Sequence, residues 1–106
     1  MNKEIIVIDK KYELIKNYKD AYNEEDFLSK CTDYFYDYDY IIGDIAYGKL
    51  RLKGFYDAKN KKAKDLNNFK FKDKYLTENC ANDCKYFIVK KISNTLRKMF
   101  KFIDFQ

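Results

Sequence analysis

Asp44, Tyr47, Gly48 and Arg51 form the one cluster in this sequence that resembles a small-molecule site. A carboxylate can position a proton or a water, a phenol can share it, and a guanidinium can grip a phosphorylated ligand in two-point fashion. The chain contains three glycines and no proline, and Gly43, Gly48 and Gly54 all fall within this same stretch. Backbone that must bend or approach something closely is therefore concentrated here. A structural reading competes, in which Asp44 caps a turn and pairs with Arg51 across two strands. Histidine is absent, which removes Ser-His-Asp and Cys-His catalysis and Cys₂His₂ zinc binding. No phosphate-cradling glycine loop is present. Cys80 and Cys84 at i, i+4 can offer two thiolates, with Asp83 or Cys31 completing a set. A structural zinc site normally shows two such pairs, so buried structural cysteines are favoured over a metal site or a redox pair. These features weigh against an enzyme, and no cofactor is expected.

The second constellation is cationic. The window Lys59–Lys74 holds seven lysines against Asp65 and Asp73, interleaved with Phe69 and Phe71. Upstream, Lys49, Arg51, Lys53 and Phe55 alternate with Leu50, Leu52 and Tyr56, with Gly54 in register. The leucine face should be core. The cationic face reads two ways: a surface that tracks a phosphate backbone while Phe55 stacks on a base, or the solvated outer face of an antiparallel sheet. On the first reading Arg51, Lys53, Phe55, Lys61, Lys62, Lys64, Lys70 and Lys72 contact RNA, with the lysine loop as a mobile basic arm. Lys53-Gly54-Phe55 opens like an RNA-recognition-motif signature, but Tyr56 and Asp57 break it. Residues 1–57 carry nine Lys/Arg and twelve Asp/Glu, so 9 − 12 = −3, and residues 58–106 carry thirteen and five, so 13 − 5 = +8. A basic half on a small domain is the usual footprint of phosphate backbones or an acidic partner. Twenty of the 22 cations are lysine, in a chain also rich in Asn, Ile, Tyr and Phe, so A/T-rich coding can account for part of the excess.

The elements that must position these residues are legible in outline. At 106 residues the chain suits one domain able to bury roughly two-thirds of its unfolded surface. Glu4–Ile8 and Lys11–Ile15 form a β-hairpin around Asp9-Lys10, and Asn17–Ala21 connects onward. Asn23 caps a helix whose first turn holds Glu24, Glu25 and Asp26, where the helix dipole favours acids. Phe27, Leu28, Cys31, Tyr34 and Phe35 recur at helical spacing and should form the buried stripe of that helix, which runs to about Tyr36. A central hairpin follows, Tyr40–Ala46 and Lys49–Tyr56 about the turn Tyr47-Gly48. Asp57–Lys64 is an exposed loop, Phe69–Lys72 a short strand or extended segment, and Asp73–Asn79 a short helix with Tyr75 and Leu76 inward. Lys85–Ile92 is a strong β run and should be central or nearly so, and Ser93 or Asn94 opens an amphipathic helix carrying Leu96, Met99, Phe100 and Ile103. The fold class is α+β: a small single domain over 1–92 with an antiparallel or mixed sheet of about five strands and two or three helices, and a C-terminal amphipathic helix or tail over 93–106. No run approaches the ~18 apolar residues of a membrane span. An odd cysteine count and the lack of a signal-peptide core lead to a cytoplasmic expectation. Oligomeric state is left open.

Tyr38-Asp39-Tyr40-Ile41-Ile42-Gly43-Asp44 followed by Tyr47-Gly48-Lys49-Leu50-Arg51-Leu52-Lys53-Gly54-Phe55 resembles the signature of the YutD-like family of small bacterial proteins. Tyr22-Asn23-Glu24-Glu25 with Phe27, the loop Asn60-Lys61-Lys62-Ala63, and Cys80–Cys84 followed by Tyr86-Phe87 agree with it, so the resemblance spans about Tyr12 to Lys91. Family members commonly carry a tryptophan just before Asn23 and another just after Asp44. Tyr22 keeps an aromatic at the first place and Ile45 loses it at the second. The resemblance implies a small α+β fold, occurrence in low-GC Gram-positive bacteria and their relatives, and no established activity. The leading expectation is thus a non-catalytic module contacting RNA or the ribosome through its basic half. The alternatives are a protein-interaction adaptor using the C-terminal helix and the acidic helix Asn23–Tyr36, and, more weakly, a phosphorylated-ligand binder or enzyme at Asp44 and Arg51.

Overall fold

The computed structural model describes residues 3–7, 10–79 and 84–92. The order of elements is β1 (Lys3–Val7), β2 (Lys10–Tyr18), α1 (Glu24–Lys30), a 3₁₀ turn (Asp33–Phe35), β3 (Tyr40–Ala46), β4 (Lys49–Phe55), a second 3₁₀ turn (Phe69–Phe71), α2 (Lys72–Asn79) and β5 (Tyr86–Lys91). The strands form one sheet in the order β1-β2-β5-β3-β4, and every neighbouring pair is antiparallel. The last described strand is therefore the middle one. Its sequence explains why: Phe87, Ile88 and Val89 are all buried, and consecutive apolar residues point to opposite faces, so this strand needs cover on both sides.

That cover differs between the faces. On one, Ile5, Tyr12, Leu14, Ile41, Leu50, Phe87 and Val89 pack against Ala21, Phe27 and Cys31, with Tyr22, Phe35 and Tyr36 alongside. On the other, Tyr40, Ile42, Phe55 and Ile88 pack beneath Phe69, Tyr75 and Leu76. The sheet is thus the middle of three layers. Among the described residues no helix is long and apolar enough to cross a membrane.

The N-terminal and central hairpins, the Asn23 cap, the inward Tyr75 and Leu76, and the central strand agree with the sequence expectation. Asn23 Oδ1 accepts the Asp26 amide at 3.0 Å. Three features differ. The helix expected to reach Tyr36 ends at Lys30, with Cys31 as its C-cap; Phe35 reaches the same core from a separate 3₁₀ turn, while Leu28 and Tyr34, expected on the buried stripe, are exposed. Breaking the helix there lets Phe27 and Phe35 face one sheet surface while the chain returns toward β3. Strand β2 runs on to Tyr18, with a bulge between Leu14 and Lys16 that sets Lys16 opposite Ile88, on the same side as Ile15; the extra residue breaks the alternation. Phe69–Phe71 is a 3₁₀ turn rather than extended, capped by Asn68, whose side chain accepts the Lys70 amide. The expected helix over 93–106 lies outside the described residues.

Gly43 sits under the centre of the larger core. A Cβ at this position would lie 2.2 Å from Cζ of Phe87, whose ring makes edge contacts with Tyr22 at 5.2 Å and Phe27 at 5.8 Å. The ring has nowhere to swing. Gly43→Ala is expected to lower stability by about 2 kcal/mol, read as a lower urea midpoint with an unchanged slope. Burial also pushes the Cys31 thiol from 9.0 up to about 11 and the Tyr22 phenol from 10.0 up to about 12. Folded values raised above unfolded ones hold their stability in full below pH 9 and lose it as pH rises toward those folded values. Urea midpoints should therefore fall from about pH 9 upward, and Cys31→Ala should delay the onset; a flat profile to pH 11 would contradict the burial of both groups.

Candidate functional site

The β3–β4 hairpin closes through Tyr47 at φ 54° and Gly48 at φ 75°, the left-handed pair of a two-residue turn whose twist suits the flanking strands. That turn sets the register Asp44↔Arg51, so the two side chains lie opposite each other on the α2 side of the sheet. Arg51 Nη2 donates to Asp44 Oδ2. Asp44 is fully buried, and its other oxygen, Oδ1, has no hydrogen-bond partner. Arg51 remains half exposed, with 47% of its side chain accessible, and the bond to Asp44 raises its already high pKa. Tyr75 of α2 adjoins the pair: burial foremost, and then the Asp44 charge, raise its phenol pKa, while Arg51 lowers it.

Of the four residues expected to form a ligand site, the structure joins Asp44 and Arg51 and separates the others. Tyr47 is fully exposed at the tip of the turn beside Gly48. The carboxylate is sealed beneath its guanidinium. An acid enclosed in this way fixes the register of a hairpin and is poorly placed to take a proton from an arriving substrate.

The basic residues distribute over the α2 layer and its approach. Lys61, Lys62, Lys64 and Lys70 are exposed. Lys53 lies over the Phe55 ring at 5.8 Å, Lys70 over Phe71 at 5.0 Å and Lys72 over Phe69 at 4.8 Å. Phe55 itself is 1% exposed, in edge contact with Tyr75 at 5.4 Å and Phe69 at 6.4 Å. The expectation of an accessible ring there is corrected: residues 69–76 close over that face and take Phe55 into a second core. Phe69 stacks on Tyr40 at 3.6 Å with the planes 4° apart. Of these rings Phe71 keeps the most accessible surface, at 39%.

The lysine loop is tied down rather than a loose arm. Asp39 Oδ2 accepts the Asp57 amide at 2.8 Å and Asn60 Nδ2 at 2.9 Å. Asn60 Oδ1 accepts the Lys62 amide, and Lys62 Nζ reaches Asp37 Oδ2 at 2.7 Å. Tyr56 donates its hydroxyl to the same Asp37 oxygen. Lys62 and Tyr56 together hold the Asp37 carboxyl below its ordinary value. Asp37 and Asp39 were not singled out in the sequence; their one signal is the alternation Tyr36-Asp37-Tyr38-Asp39-Tyr40. A cavity of about 280 Å³ lies between Phe55, Leu66, Phe71 and Tyr75, with Asp65, Lys74 and Glu78 at its walls. Neither Asp44 nor Arg51 lines it. Cys84 is disulfide-bonded, which removes it as a thiolate ligand. Cys31 is free and buried, and Cys80 lies outside the described residues.

Charge separates along the chain, and the two groups meet where Lys62 pairs with Asp37. Residues 23–39, which build the α1 layer, hold six acids and one lysine, whereas residues 49–79, β4 and the α2 layer, hold ten cations and four acids.

Removing Arg51 strands a buried carboxylate. Arg51→Met is expected to cost about 3 kcal/mol, the low end for breaking a buried pair because the guanidinium is half solvated. Asp44→Asn, which keeps a hydrogen-bond acceptor, should cost less. Equal losses in urea unfolding would contradict the enclosure of Asp44.

The family described as "Putative antitoxin YutD-like" matches residues 6–90. A Bacillus subtilis (strain 168) protein named "Putative antitoxin YutD" is 43% identical over 88 residues, covering 83% of this chain and 97% of the relative. The solution NMR structure of yutD from B. subtilis superposes with a TM-score of 0.72 at 42% identity, over 85% of this chain and 82% of that one. The hairpin signature, the antiparallel five-stranded sheet and these matches converge, and the chain belongs to the YutD-like family.

Proposed function

We propose that this chain is a non-catalytic binding module of antitoxin type, acting by stoichiometric contact with a protein partner. The observation that carries the reading is the state of the hairpin's chemistry: Asp44 is closed off by Arg51 while Lys49 and Arg51 of β4 and Asp73, Lys74 and Glu78 of α2 stand at the surface. Such a surface binds without transforming what it binds. The name carried by the B. subtilis relative, a putative antitoxin, supports a role exerted by holding another molecule.

A second reading is favoured by the ten cations against four acids over residues 49–79. On it, Arg51, Lys53, Lys61, Lys62, Lys64, Lys70 and Lys72 contact RNA or a ribonucleoprotein such as the ribosome, and affinity comes from phosphates. Base stacking on Phe55 drops out, since that ring is buried.

Two measurements separate the readings. Fluorescence anisotropy with a single-stranded RNA across a salt series should show only weak binding, no tighter than to an unrelated acidic polymer. Tagged protein in an extract of its source cells should capture one protein in stoichiometric amount, resistant to ribonuclease and lost on Lys49/Lys53→Glu. Tight RNA binding whose salt slope falls by about 0.7 for each of Lys61, Lys62 and Lys64 changed to alanine would replace the protein reading with the RNA one.

A further inference from the structure

Strand β4 is an edge of the sheet: among the described residues it pairs with β3 alone. The direction of its backbone groups follows from the bonds at its end. Phe55 O accepts the Asp39 amide at 2.9 Å, so Phe55 turns toward β3. Tyr56 turns the other way: its N–H donates to Asn67 O at 2.7 Å and its C=O accepts from Phe69 N at 2.9 Å, forming a parallel bridge between Tyr56 and Asn68. Outward and inward residues alternate along an antiparallel edge. Leu50, Leu52 and Gly54 therefore direct their N–H and C=O groups outward, in line with the position that Asn67–Phe69 already occupies beside Tyr56. The chain itself places one isolated parallel bridge on the continuation of this edge, just past β4, and leaves the places beside β4 without a paired strand among the described residues.

From this edge we infer that β4 is an interaction site that takes an extended segment of the partner protein as a sixth strand, an inference that rests on the protein-binding reading above. The side chains specify the segment. Lys49, Arg51 and Lys53 alternate on the α2 side, and Leu50 and Leu52 on the other. A neighbouring strand places its own alternate residues beside each set. The complementary occupant has acidic residues at every second position and apolar residues between them. A second copy of this chain does not meet that pattern. Pairing β4 with another β4 would oppose cation to cation. Pairing it with β1 would offer Glu4 as the sole acid, and Glu4 is bound to Lys11 at 3.3 Å. Exposed cations on an edge strand also discourage self-pairing, so the same lysines repel copies and select an acidic strand.

The test uses the full chain and a seven-residue, end-blocked peptide of alternating Asp and Val. Controls are a peptide of the same composition with its Asp and Val in separate blocks, and a single-stranded RNA. NMR amide exchange should slow about tenfold or more at Leu50, Leu52 and Gly54 with the alternating peptide alone. Leu52→Pro removes an outward N–H at a position where an edge strand tolerates proline, and Leu52→Ala loses the same packing but keeps the N–H. The proline variant should bind the peptide about tenfold more weakly than the alanine variant. Equal protection by both peptides, protection by RNA, or protection that grows with protein concentration and no peptide would each overturn the inference. If the proline variant fails to fold, the exchange pattern of the unaltered chain decides. If the cellular partner is lost on Lys49/Lys53→Glu but retained by Leu52→Pro, the edge inference fails while the protein-binding reading stands.

Discussion

The structure depends on a single demand: the central strand must be buried on both of its faces. Phe87 and Val89 point to one side and Ile88 to the other, and each such side chain contributes roughly 1.5–3 kcal/mol only when fully removed from water. The strand meets that demand by inserting between two hairpins made much earlier in the chain, pairing Leu14 with Val89 on one flank and Ile41 with Val89 on the other. Neither hairpin alone could form this sheet. Both covering layers, α1 with its 3₁₀ turn and α2 with its own, exist to close the two apolar surfaces created by that insertion.

The same arrangement sorts the charge. Acids gather in the α1 layer, where Glu24, Glu25 and Asp26 fill the first turn of the helix and the dipole favours them. Lysines gather in the α2 layer, where the ammonium groups of Lys53, Lys70 and Lys72 lie over the rings of Phe55, Phe71 and Phe69, a cation–π contact. Part of the lysine excess is thus engaged with the protein's own aromatic rings. The buried Asp44 opposite Arg51 fits the same logic: it fixes which residues of β3 and β4 face each other, because a one-residue slip would leave a carboxylate unpaired among rings.

The proposed binding role draws on what this leaves at the surface. The hairpin contributes a sealed ion pair, a fully exposed turn and an edge with three outward N–H and three outward C=O groups at Leu50, Leu52 and Gly54. The chain belongs to the YutD-like family, one of whose members is named a putative antitoxin.

The sequence by itself determined the local grammar. The two hairpins, the Tyr47-Gly48 turn, the Asn23 cap, the inward face of Leu50 and Leu52, and the buried run at Phe87–Val89 were all legible, because each is written in spacings of two to four residues. The facing of Asp44 and Arg51 was legible as a pairing, since a two-residue turn fixes the register. Only the tertiary structure decided what covers each face. Phe55 reads as an outward ring on a cationic strand until Phe69 and Tyr75 close over it. The lysine loop reads as a free arm until Asp39 holds it, and the first helix reads as continuous until the path back to β3 breaks it at Cys31. Periodicity states which residues share a face. It carries no information on which distant segment packs there, since that choice is made by the burial of the whole sheet.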